Sequence, residues 1–295
     1  MGWLDKYDWD LIPKFVINRR DKPERQHHTM NQLDKSNLSN FVTICNAKEP
    51  DSDLKNNLHN YISEKAYQNI KNINSTLILP NLRSVALTNS HKDIWKYILN
   101  NNINHALIIE DDIEISDSFL LHKELNHLYD ITSKMPRSLP KYVIFNGSYH
   151  KSIEHEDYLE YEDNNVYQSN NNITNYASYD LNNYPYFKYF PNNSFEVVGC
   201  HFYYINQEMA KILLDELKIT TYQIDIEISK LSKNEFIKNK CTFLNVETNS
   251  IMQSKKFNST LQPYKINSQV LSSTLNLPTE ISNHILSYFP ECLIK

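Results

Sequence analysis

The sequence predicts an α/β protein whose core is a mostly parallel β-sheet covered by helices on both faces. Three observations carry this. Short, almost wholly apolar segments recur at residues 14–18, 40–45, 105–109 and 141–147, the pattern of strands buried on both faces of a sheet. Stretches with helical apolar spacing alternate with them. The apolar segments also run out into polar residues (Asn18, Glu110, Asn146), and in parallel sheets ligands bind at the carboxyl ends of the strands.

The first strand, Lys14-Phe15-Val16-Ile17-Asn18, is bounded by Pro13 and by the charged stretch from Arg19 to Arg25. A helix over residues 24–36 leads to the second strand, while residues 46–82 are polar and suggest no clear element. Val85, Leu87, Ile94, Trp95, Ile98 and Leu99 keep helical spacing, with the helix start expected at Thr88-Asn89-Ser90, all good capping residues. His105-Ala106-Leu107-Ile108-Ile109 is a fully apolar strand, followed directly by Glu110-Asp111-Asp112. An amphipathic helix is expected over 117–134 and a second central strand over 141–147. Residues 151–195 are rich in Tyr, Asn and acids; a segment of that length reads as a lid or binding loop, and its aromatics favour order. Residues 196–206 read as one apolar segment, followed by a helix from Gln207 through Leu217 and an acidic stretch around Asp225. Only three glycines occur, and Gly147 and Gly199 sit at strands, where glycine marks close approach or an unusual φ.

Composition narrows the function. A net charge of -5 argues against nucleic acid as a partner, because phosphate binding needs a basic face. The four cysteines are far apart and form no C-x-x-C pair, which speaks against a zinc site and against a disulfide scaffold. No apolar run approaches the roughly 20 residues of a membrane span, and the first residues carry acids and aromatics where a signal peptide is apolar. The expectation is a cytoplasmic protein. Heavy use of Asn, Lys, Ile and Tyr is the bias of an AT-rich genome, some large DNA viruses included, in which case the setting would be a host cytoplasm or virion.

Glu110-Asp111-Asp112 is the strongest chemical signal. Three carboxylates at the end of a buried strand repel one another, and such a cluster persists mainly where a cation neutralises it. Oxygen ligands suit Mg²⁺ or Mn²⁺. A solvated acidic loop accounts for the same residues equally well.

The order of motifs resembles glycosyltransferase family 25, the group of bacterial lipooligosaccharide galactosyltransferases and collagen galactosyltransferases. Phe15-Val16-Ile17-Asn18-Arg19-Arg20 with Arg25 is similar to the family's first strand and Arg-rich loop, and Ser90-His91-Lys92-Asp93-Ile94-Trp95 to its Ser-His before a Trp-bearing helix. Ala106 to Asp112 matches a strand ending in E-D-D, and Val143 to Gly147 a glycine-containing strand. Gly199 to Leu214, Asp225, and Gln253 with Ser259 follow in order. Arg19 stands where Leu is usual, the Arg-rich loop is compressed, and the 151–195 insert is unlike the family's core.

The resemblance implies a GT-A type fold over residues 1–265, with the insert at 151–195 and a helical tail over 266–295. It implies Mn²⁺ or Mg²⁺ held by Asp112 and Glu110, with Glu110 or Asp111 alternatively on the ribose of a UDP-sugar. Asn18, Arg25, Ser90, His91, Gly147 and Gln253 are expected beside the donor. Inversion at the sugar needs a base toward a glycan or protein acceptor, for which Asp225 is the first candidate and Glu227 the second; an acid stabilising a helix start is the plainer reading of Asp225. His201 fits a strand residue packed among aromatics and stays outside the expected metal shell. Self-association is left open. The alternative reading is a catalytically inactive sugar-nucleotide-binding or adaptor protein, since Leu277 to Pro290 resembles the opening of an F-box. Such a domain needs roughly 40 residues, so an amphipathic terminal helix capped by Thr279 is the preferred reading there.

Overall fold

The computed structural model of the chain describes residues 9–71, 80–151, 180–191, 195–254 and 256–257. Its first part runs β1 (Lys14–Asn18), α1 (Pro23–Lys35), β2 (Val42–Asn46), α2 (Ser52–Asn56), α3 (Glu64–Lys71), α4 (Leu82–Asn100) and β3 (His105–Glu110). Then come β4 (Ile113–Ile115), α5 (Ser118–Lys134), β5 (Lys141–Phe145), β6 (Ser148–Lys151), β7 (Phe187–Tyr189), β8 (Phe195–Val198) and β9 (Phe202–Asn206). α6 (Gln207–Glu216), α7 (Ile224–Lys233), α8 (Glu235–Lys238), β10 (Thr242–Val246) and β11 (Ile251–Gln253) follow.

Seven strands form one sheet in the order β2-β1-β3-β9-β5-β10-β7. The pairs β1–β2, β1–β3 and β5–β10 are parallel, as expected; β9 and the edge strand β7 are antiparallel to their neighbours. Along each strand alternate residues enter two separate cores. On one face, Phe15, Ile17, Ile108, Tyr142, Ile144, Tyr203 and Ile205 pack on Trp95, Ile98, Met209, Leu213 and Ile228 of α4, α6 and α7. On the other, Val16, Leu107, Ile109, Val143, Phe202 and Tyr204 meet Leu33 of α1 and Leu121, Leu125 and Leu128 of α5. Trp95 is fully buried, so truncation to Ala would cost about 3–5 kcal/mol.

Three sequence expectations are corrected. The long helix begins at Leu82, not at residues 88–90. Asn81 accepts from the backbone N–H groups of Arg83 and Ser84 while Ser84 Oγ accepts from that of Asn81, a reciprocal cap that outcompetes the later candidates. Thr88, Asn89 and Ser90 are buried inside the helix instead. The polar stretch 46–82 holds α2, α3 and the start of α4. Residues 196–206 are two strands, β8 and β9, broken at Gly199, whose φ of +101° is the left-handed region glycine enters without strain. Within the 151–195 insert, Lys151, residues 180–191 and Phe195 are described; Phe187–Tyr189 form β7, and Tyr184, Phe187 and Phe190 are buried. The 266–295 tail and Ser259 lie outside the described residues.

Because β9 runs opposite to β3 and β5, its beginning lies at the edge where theirs end. Ile109 pairs with Phe202, and the Glu110 N–H donates to the His201 carbonyl at 2.8 Å. β11 pairs with β4 so that Gln253 stands opposite Ile113, next to Asp112.

Candidate metal centre and its surroundings

β3 delivers Glu110 to the sheet edge, and Asp111 and Asp112 form the turn into β4, each 5% exposed. The first positive charge they meet is Arg25. Pro23 starts α1 in its first turn, which places Arg25 inward, where it is 4% exposed. Its Nη2 donates to Asp112 Oδ2 at 2.7 Å and its Nη1 lies 3.3 Å from Asp111 Oδ1. Asp111 Oδ2 also accepts from the Arg19 N–H at 3.0 Å. Burial nevertheless pushes the Asp111 carboxyl up to about 6, although Arg19 and Arg25 oppose it. The cluster is therefore partly neutralised by the chain itself, which the bare triplet does not reveal.

Asp112 divides its two oxygens. Oδ2 accepts from Arg25 and, at 2.9 Å, from Gln253 Nε2. Oδ1 is buried without a hydrogen-bond partner, 3.7 Å from Nδ1 of His201. That same nitrogen is 3.3 Å from Glu110 Oε2. His201, expected to pack among aromatics, thus joins the acidic group: ligand atoms of Glu110, Asp112 and His201 all lie within 4.8 Å of one another. The sequence signal that could have found it is Gly199, which breaks the strand just before it.

Burial would raise the Glu110 carboxyl, but hydrogen bonds from His201 and His91, with charge from His201, outweigh it and hold the group far below the ordinary carboxylate range. Burial likewise works against a charged His201, yet Glu110, Asp112 and Asp225 lift its imidazole to about 9. Two carboxylates and an imidazole nitrogen are a donor set that suits a divalent cation. The unpartnered Asp112 Oδ1 is the atom that such an ion would satisfy.

The model of the family described as glycosyltransferase family 25 (LPS biosynthesis protein) matches residues 11–228. The chain belongs to glycosyltransferase family 25. Comparison with curated proteins finds no match. Membership of family 25 implies glycosyltransferase activity on a nucleotide-sugar donor and an acceptor. No helix among the described residues is long and apolar enough to cross a membrane.

The family 25 span takes in every residue expected at the site except Gln253. Structure brings Arg25, His91, Glu110, Asp111, Asp112 and Gln253 together, with Asn18 beside them at the end of β1. Asn18 Nδ2 donates to the Arg19 carbonyl and to Gln26 Oε1, and its buried Oδ1 has no partner. Ser90 does other work: its Oγ accepts from the Lys48 N–H at 2.8 Å and donates to the Ala86 carbonyl, tying α4 to the segment after β2. Gly147 exchanges hydrogen bonds with the side chain of Asn245, a partner the sequence did not suggest. A Cβ at Gly147 would stand 2.7 Å from Val197 Cγ1, so the close approach of the bend between β5 and β6 to β8 requires glycine there.

Asp225 and Glu227 lie in the first turn of α7. Asp225 Oδ2 accepts from the Gly199 N–H and Oδ1 from that of Ile226, both at 2.9 Å. Asp225 thereby holds the glycine turn that presents His201. Glu227 Oε1 accepts from the N–H groups of Thr221 and Tyr222; burial raises its carboxyl, partly offset by those bonds.

Proposed function

We propose that this family 25 chain transfers a hexose, galactose or glucose, from a UDP-sugar to a hydroxyl of a glycan or protein acceptor, with inversion and with Mn²⁺ or Mg²⁺ as cofactor. The observation that carries the reading is the buried, unpartnered Oδ1 of Asp112, facing His201 and grouped with Glu110 at the carboxyl end of β3. Asp112 and Glu110, with His201, would hold the cation. When bound, such an ion offsets the charge that develops on the leaving diphosphate.

The chain's own side chains set up the rest. Arg25 fixes the Asp111 and Asp112 carboxylates, and Gln253 fixes Asp112 from the opposite element. Asn18, with its free Oδ1, and Asp111 line the same edge and are the groups proposed to meet the donor's ribose or base. His91, Ser90 and Gly147 would shape the donor side by holding this framework rather than by touching the ligand. Asp225 is the proposed base that takes the acceptor hydroxyl's proton, and Glu227 is the next candidate; a carboxylate serves provided it is ionised and within reach. Residues 1–265 are proposed as the catalytic domain.

The test is UDP release from a panel of UDP-sugars with acceptor, with and without metal. Turnover should vanish in EDTA and return with Mn²⁺. Undiminished turnover in metal-free buffer would overturn the role given to residues 110, 112 and 201.

A further inference from the structure

Glu110 shows one oxygen, Oε2, to His201, and the other, Oε1, to a buried row of side chains behind the sheet edge. Trp95 and His91 both project from α4 onto Tyr203 of β9, and all three are fully buried. Trp95 Nε1 stands 3.1 Å from the Tyr203 hydroxyl, which stands 2.9 Å from His91 Nδ1. His91 Nε2, buried and without a closer hydrogen-bond partner, faces Glu110 Oε1 at 3.5 Å.

We propose that Trp95, Tyr203 and His91 form a one-way hydrogen-bond chain that positions the Glu110 carboxylate to hold a divalent cation. The cation's part in this rests on the metal-dependent reading above; the direction of the chain does not.

The direction follows from what each group can do. An indole N–H only donates, so the Tyr203 oxygen accepts from Trp95. Its own proton is then free to point at His91 Nδ1, which receives it with a lone pair. The imidazole proton is left on Nε2, aimed at Glu110. The opposite tautomer would turn a lone pair from a buried nitrogen onto the carboxylate. Ring rotation is no escape, since His91 packs against Tyr203 and Trp95 with centroids 5.7 and 6.3 Å away. With Oε1 occupied, Oε2 is left facing His201. His91, Tyr203 and Trp95 are positioning residues: they touch neither donor nor acceptor, and act through Glu110.

Two measurements on the full chain test this. Nitrogen-15 NMR of histidine-labelled, metal-free protein should show His91 protonated at Nε2 and bare at Nδ1; the reverse tautomer overturns the proposal whatever the metal does. Mn²⁺ titration by calorimetry should then show Tyr203→Phe binding roughly 10-fold or more weakly, the usual worth of a group that orients a ligand from behind. His91→Gln, whose amide can still donate from the Nε2 position, should stay close to wild type, and His91→Asn should fall with Tyr203→Phe. Tyr142→Phe is the structural control: its ring lies 5.0 Å from that of Tyr203, but its hydroxyl meets Cys200 Sγ. Wild-type affinity in Tyr203→Phe, or an equal loss in Tyr142→Phe, overturns the positioning role. If the wild-type chain binds no Mn²⁺, the metal reading and the positioning of Glu110 for a cation fail together, and the tautomer result alone shows whether the one-way chain exists.

Discussion

At the end of β3, the oxygens of Glu110, Asp111 and Asp112 are met largely by side chains from other elements: Arg25 of α1, His91 of α4, His201 ahead of β9 and Gln253 of β11. At the start of α7, Asp225 and Glu227 are met by backbone N–H groups, those of Gly199, Ile226, Thr221 and Tyr222. The difference is one of freedom. A backbone donor is fixed by the fold, so carboxylates bound to it lock a turn in place. Side-chain donors can rearrange, and at β3 they leave Asp112 Oδ1 over. The first cluster keeps one buried oxygen without a partner; the second holds the Gly199 turn beside it.

The sharpest break would come from Asp112→Asn, which keeps the volume and removes the charge. Cation-dependent UDP binding should be lost and transfer should fall by at least about 10²-fold, given the several kcal/mol a bound cation contributes. Wild-type UDP–Mn²⁺ affinity in that variant would remove Asp112 from the ligand set. Asp225→Asn comes next. As a base, Asp225 should lose roughly 10²-fold in turnover with donor affinity kept. A near wild-type rate with a lowered melting temperature would make it only the clasp on Gly199, and move the base to Glu227.

Glu227→Gln should be milder. It keeps an oxygen for Thr221 and Tyr222 and should cost up to about 1 kcal/mol of stability from the helix start, with the rate unchanged. An effect read in stability alone, with no change in rate, concerns Lys92 of α4, which is 7% exposed and donates to the Lys218 carbonyl. Burial draws its ammonium from 10.5 down to about 8, with Glu227 pulling the other way. Between those values the unfolded chain binds the extra proton, so the folded state gains stability as pH rises through this window; below about 8 both states are protonated and nothing changes. Urea melts across pH should therefore show wild type gaining on Lys92→Met between about pH 8 and 10.5 and not between 6 and 7. A gap constant with pH would mean that the ammonium is not buried as described.

The parts of the fold readable from sequence are those where local pattern and tertiary role coincide. Strands β1, β3 and β5 are buried on both faces and read as apolar runs, and α5 and α6 keep their helical spacing. Glu110 to Asp112 is legible as a charged triplet closing such a run, though a solvated acidic loop reads the same and only the order of motifs separates the two. His201 is not, because its place depends on β9 entering antiparallel between β3 and β5, and an apolar run carries no sign of its direction. Arg25 is legible as one arginine among several, but not as the partner of two carboxylates far along the chain. The start of α4 is missed because three capping residues inside the helix imitate a start, while the working cap, Asn81 with Ser84, lies in a polar stretch.

The late arrival of β9 has a consequence for how the protein is made. On the ribosome β3 emerges well before residues 202–206, and until they follow, the edge of β3 that will bond to β9 has no partner. The nascent chain thus carries an open, apolar strand edge through the synthesis of α5, β5 and the long insert, a period when pairing with other chains competes with folding. The strand that joins β3 to β5 is also the one that carries Tyr203 and draws His201 up to Glu110, so the two halves of the sheet cannot join without bringing these groups together, before β10 and Gln253 are added.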